Sequence, residues 1–116
     1  MMKQLLLVIL AVVMPMVTSV YGGVQEKVMP VVIDVRDAGE WQAGHLEGAA
    51  FIPYNQIERQ IGGVTGDKQG KIYLYCRSGR RSALALESLK SAGYLDVENL
   101  GSMESAATAL GRPIVK

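Results

Sequence analysis

The chain has 116 residues, 49% apolar and 20% charged, with 13 glycines and 4 prolines, which suits one small globular α/β domain and excludes a multidomain enzyme. Twelve Lys and Arg stand against eleven Asp and Glu, a formal net charge of +1, so no global basic field exists to hold a nucleic acid or an anionic membrane surface. Cys76 is the only cysteine and His45 the only histidine, so the sequence supplies neither an intrachain disulfide nor a tetrahedral zinc site, and no metal or cofactor is expected.

Lys3 precedes an uncharged run from Leu5 to Val17, which is followed by Thr18, Ser19, Gly22 and Gly23. That order of basic, apolar and small residues is a secretory leader. A spanning helix needs about 20 apolar residues, whereas this run is shorter and contains Pro15, so an uncleaved anchor is the second reading. Val17 with Ser19, or Val20 with Gly22, would each suit the positions three and one before a cut. The sequence therefore divides into a leader over 1–22 and a domain over 23–116. The expected location is the periplasm, with membrane contact only through an uncleaved leader.

Val31, Val32, Ile33 and Val35 read as a strand buried on both faces, with Asp34, Arg36 and Asp37 at its carboxyl end. Ala38 to Trp41 suits a turn of helix. Glycine and proline at positions 44, 48 and 53 break the chain around His45 and a short strand over Ala50, Phe51 and Ile52. Asn55 is expected to cap a brief helix through Ile61, and Gly62, Gly63, Gly66 and Gly70 mark a loop. Ile72 to Tyr75 form a second buried strand that stops at Cys76. From Ser82 to Ala92, Leu84, Ala85, Leu86, Leu89 and Ala92 recur at helical spacing, with Gly93 placed as a left-handed cap.

Between that strand and helix lies Cys76-Arg77-Ser78-Gly79-Arg80-Arg81. A strand-loop-helix turn of this kind aims successive backbone N–H groups inward above a helix N-terminus and makes an anion site. In open parallel sheets the ligand crevice lies outside the carboxyl ends of the strands, where this loop and the Asp34/Arg36 end meet. An isolated cysteine at a strand end is usually a small buried hydrophobe. Three arginines beside it argue otherwise, because guanidinium groups and a helix N-terminus favour the thiolate. Cys76 is therefore read as a nucleophile.

The stretch Val32-Ile33-Asp34-Val35-Arg36, then Glu40-Trp41, Gly44-His45-Leu46-Glu47-Gly48-Ala49 and Ile52-Pro53, resembles the amino-terminal signature of rhodanese domains. Cys76-Arg77-Ser78-Gly79-Arg80-Arg81-Ser82, running into a helix and then Gly93-Tyr94, resembles their active-site loop. The resemblance covers about Val31 to Gly101 and departs at Gly101-Ser102, where a double glycine is common. It implies a single α/β domain with an open parallel sheet and helices on both faces, a Cys76 persulfide, and small-molecule sulfur donors and acceptors as partners.

On that resemblance thiosulfate, a dianion, would be bound by the loop residues Arg77, Ser78, Gly79, Arg80, Arg81 and Ser82, with Arg77 and Arg81 supplying charge and Arg80 facing solvent. Asp34 and Arg36 are either a pair orienting the loop or a structural strand-end salt bridge. The reaction needs no base once the thiol is ionised, so His45 is read as a turn residue bonded locally. Trp41, Tyr54, Tyr73 and Tyr75 are read as core or pocket wall. A cysteine phosphatase would need five residues between Cys and Arg, and Cys76 to Arg81 has four. A disulfide oxidoreductase would need a second cysteine. A non-catalytic sulfur carrier is the remaining alternative.

Overall fold

The computed structural model describes residues 29–116; the expected leader and its boundary at 22/23 lie outside them. Strand β1 (Val31–Asp34) leads into helix α1 (Ala38–Ala43) and the short strands β2 (His45–Leu46) and β3 (Ala50–Phe51). A 3₁₀ turn (Tyr54–Gln56), α2 (Ile57–Gln60) and a second 3₁₀ turn (Ile61–Gly63) follow, then β4 (Lys71–Cys76), α3 (Arg80–Ser91), β5 (Asp96–Ser102), α4 (Met103–Leu110) and β6 (Ile114–Val115). One sheet has the order β3-β1-β4-β5 with every pair parallel, and β2 and β6 form a separate antiparallel pair.

The parallel sheet is covered on both faces, as its unbroken branched strands require. Ile33, Val35, Ile72, Leu74 and Cys76 pack with Ile57, Ala85 and Leu89 of α2 and α3. Val32 and Tyr75 face the other way, onto Leu46 and Ala106 of α4. This alternation places α2 and α3 on one face and α4 on the other. The carboxyl ends of β1 and β4 open at one edge of this core, with the Ile33–Leu74 and Asp34–Tyr75 pairs in register.

Several local boundaries differ from expectation for identifiable reasons. Asn55 is not a cap: Pro53 precedes the first turn, with no side-chain cap there, and the Tyr54 N–H is bonded to Val35 O at 3.0 Å. Gly62 and Gly63 lie in a 3₁₀ turn rather than a loop. Helix α3 begins at Arg80, not Ser82, because left-handed Gly79 (φ 94°) starts it. Past its other end Gly93 (φ 98°) bonds back to Lys90 O, and Tyr94 N to Leu89 O, the paired bonds of a glycine-terminated helix. Strands β2, β5 and β6 and helix α4 have no counterpart in the sequence-based elements.

Candidate active site

Cys76 ends β4, and the chain turns over its sulfur before entering α3. The Gly79 N–H reaches Sγ at 2.9 Å. Burial pushes the thiol pKa up, but the Ser82 hydroxyl and the N–H groups of Ser82, Gly79 and Ser78 outweigh it, and the net shift is downward. The thiolate is thus favoured by oriented dipoles around a sulfur that is itself buried. The Ser82 hydroxyl is fully buried and has no partner of regular hydrogen-bonding geometry, so its proton is available to the sulfur.

The loop is braced from β5. Between the Leu74–Asn99 and Cys76–Ser102 pairs, one residue of β4 is matched by two of β5, a bulge that re-aims the strand end. Asn99 Nδ2 donates to Gly79 O at 2.9 Å and Asn99 Oδ1 accepts from Gly101 N at 2.8 Å. A Cβ on Gly79 would stand 3.3 Å from the Gly101 Cα. Glycine at 79 is therefore required by backbone angle and by this close approach.

Asp34 and Arg36 form a buried pair: Arg36 Nη2 lies 2.7 Å from Asp34 Oδ2, and Nε and the backbone N–H bond to Oδ1 at 2.9 Å each. The Asp34 bond holds the guanidinium protonated against burial. Arg36 Nη2 also donates to Gly44 O at 2.6 Å, which ties the end of β1 to the turn before β2. The Tyr75 hydroxyl accepts from Leu46 N, and burial pushes its pKa upward.

The arginines of the loop separate. Arg77 is exposed and lines a pocket of about 270 Å³ with Cys76, Arg36 and Glu40. Arg80 is exposed at the first turn of α3. Arg81, expected to face the anion with Arg77, is instead bidentate on Glu40, Nη1 to Oε1 at 2.8 Å and Nη2 to Oε2 at 3.1 Å. That pairing draws the Glu40 carboxyl down to about 2. Glu40 also closes a capping box with Asp37 at the start of α1, so one side chain fixes both the helix start and the loop arginine.

Met103, Glu104 and Ile114 complete the lining, with Ala43 and Gly44. His45 does not enter the pocket lining; its Nδ1 is 2.9 Å from Trp41 O and its ring stacks on Trp41 at 3.4 Å. Glu40, quoted only within the amino-terminal signature and given no role, and Asn99, Met103, Glu104 and Ile114, not singled out at all, are the site residues that the sequence reading missed. For Glu40 the signal was its place three residues after Asp37; the other four have none.

Residues 18–108 match the family model described as Rhodanese-like domain. Over 75 residues the chain is 37% identical to the thiosulfate sulfurtransferase PspE of Escherichia coli, covering 65% of this chain and 72% of that protein. It is 32% identical over 69 residues to YrkF of Bacillus subtilis, which is assigned as a sulfur carrier; that match covers 60% of this chain and 36% of YrkF. A rhodanese from E. coli solved with anions superposes with a TM-score of 0.70 at 35% identity, over 76% of this chain and 99% of that one.

Proposed function

The chain belongs to the rhodanese-like domain family, and from that premise we infer that it is a thiosulfate sulfurtransferase whose nucleophile is Cys76. The observation that carries this reading is the sulfur itself, which lines a pocket with Arg36 and Arg77 and is drawn toward the thiolate by the Ser82, Gly79 and Ser78 donors against the effect of burial. The Cys76 thiolate attacks the outer sulfur of thiosulfate; the S–S bond of thiosulfate breaks and sulfite leaves with the electron pair. Cys76 then carries a persulfide, whose terminal sulfur meets the same N–H groups. Cyanide or a thiol removes that sulfur and returns the thiolate. Arg77, exposed at the pocket, supplies positive charge for the dianion, Arg36 lines the same pocket while paired with Asp34, and the Glu40–Arg81 pair stiffens the loop.

The likeness to a protein assigned as a carrier supports one second reading, a module that accepts a single sulfur and stops. Steady-state kinetics with thiosulfate and cyanide separate the two. Repeated turnover with thiocyanate formation is expected of the enzyme, and one equivalent per protein of the carrier. Export of the mature domain is part of the same proposal and rests on the Lys3 and Leu5 to Val17 pattern; among the described residues no helix is long and apolar enough to cross a membrane. An N-terminus between Val20 and Val24 on protein recovered from the periplasmic fraction is the expected outcome, and full-length chain in the membrane would overturn it.

A further inference from the structure

The pocket is larger and less polar than a small inorganic dianion requires. Its volume is about 270 Å³, and Met103 and Ile114 contribute aliphatic side chains to its rim. Ile114 is 45% exposed, yet it is held there by backbone bonds. It pairs with Leu46 in the β2–β6 ladder, Glu47 N donates to Pro113 O at 3.0 Å, and Arg112 Nη1 donates to Glu47 O at 3.2 Å. A Cβ on Gly44 would already touch Ile114 Cγ2 at 3.4 Å, so the wall sits directly on the turn whose carbonyl binds Arg36. A large aliphatic fixed at the mouth of a charged pocket offers apolar surface to whatever enters.

Glu104, exposed in the first turn of α4, shares that rim. Its carboxylate repels a second anion on the Met103 side and attracts a cation. The pocket thus sets the sulfur and the exposed Arg77 beside an aliphatic surface that also carries the exposed Glu104 carboxylate. We propose that Ile114 and Met103 form an acceptor wall, with Glu104 setting its charge preference, and that the acceptor is a small organic thiol with an aliphatic body that is neutral or carries an ammonium group. This rests on the sulfurtransferase reading above and names its second substrate. The acceptor thiolate attacks the terminal sulfur of Cys76–S–SH; the S–S bond to Cys76 breaks with its electron pair, leaving the Cys76 thiolate, and the acceptor departs as RSSH.

The test uses protein preloaded with thiosulfate and freed of excess donor, then discharged by cyanide, 2-mercaptoethanol, cysteamine or 3-mercaptopropionate. Wild type is expected to discharge to cysteamine at least about fivefold more efficiently than to 3-mercaptopropionate, after correction for the thiolate fraction of each reagent. Ile114→Thr, which keeps the β-branch that the ladder favours, and Met103→Ala are each expected to lower the selectivity for 2-mercaptoethanol over cyanide by about three- to tenfold. Glu104→Gln is expected to bring cysteamine and 3-mercaptopropionate within about twofold of each other. A selectivity unchanged in both wall variants, or a charge preference unchanged in Glu104→Gln, overturns the wall. Failure to load any sulfur overturns the sulfurtransferase reading instead, so the two outcomes are distinguishable.

Discussion

The Glu40 carboxylate takes both terminal nitrogens of Arg81, at 2.8 and 3.1 Å, across 41 residues of sequence. Each side chain is about three-quarters buried, so the pair is screened less than a surface ion pair. Its consequence is that one of three loop arginines is held by the protein rather than left to the substrate.

Glu40→Gln preserves the capping box, since Gln serves at that position, but releases the Arg81 charge. The KM for thiosulfate is expected to fall roughly two- to fivefold, whereas Arg81→Ala, which leaves a carboxylate unpaired at the pocket, should raise it by a similar factor. Stability gives a second readout. The Glu40 carboxyl lies near 2 in the fold against 4.5 as its ordinary value, so its contribution is full above about 4.5 and is lost as pH falls toward 2. Denaturant titrations should show an acid-side loss of about 1 kcal/mol in wild type that is missing from Glu40→Gln.

Ser82→Ala removes a hydroxyl that favours the thiolate while leaving the Ser82 N–H in place. The Cys76 pKa should rise, moving the pH profile of thiosulfate turnover and of alkylation to higher pH. One lost hydrogen bond of about 1 kcal/mol corresponds to a roughly fivefold smaller ionisation constant, read as an upward shift of the midpoint. An unmoved midpoint would show that the backbone donors alone set the thiol.

Gly79→Ala places a side chain at φ 94° against the Gly101 backbone and should cost about 1–3 kcal/mol. Gly62→Ala, where a Cβ would meet nothing within 4 Å, is the matched control and should be neutral or slightly stabilising. Asn99→Ala, which removes both bonds bracing Gly79 and Gly101, should cost about 1–2 kcal/mol and lower kcat more than it raises KM. Thermal melts and kinetics on the three variants check this.

Arg36→Met leaves the fully buried Asp34 carboxylate without its partner. Breaking a buried pair from one side costs about 3–5 kcal/mol, so equilibrium unfolding should show a loss of that order. A loss under about 1 kcal/mol would mean that Asp34 finds other donors.

The sequence made the sheet core and the cysteine loop legible because both are local: branched runs around Ile33 and Leu74, a glycine-stopped helix, and arginines clustered on one turn. Fold class and both principal strands were readable on those grounds. What pairs at long range was not. The partner of Arg81 lies in α1, and the brace of Gly79 is an asparagine in β5, whose side chain carries no pattern of its own. Ile114 is visible only as an aliphatic near the end of the sequence until the ladder with Leu46 puts it on the pocket. Asn55 misled because a proline and a single backbone bond from Tyr54, not a side-chain cap, start that turn.

The central claim is that Cys76 accepts the outer sulfur of thiosulfate, and intact-mass spectrometry of the protein after incubation with thiosulfate tests it most directly. Wild type should gain the mass of one sulfur atom and lose it again on adding cyanide, while folded Cys76→Ser gains nothing. A wild type that stays at its original mass, or a Cys76→Ser protein that gains the same sulfur, would contradict the assignment.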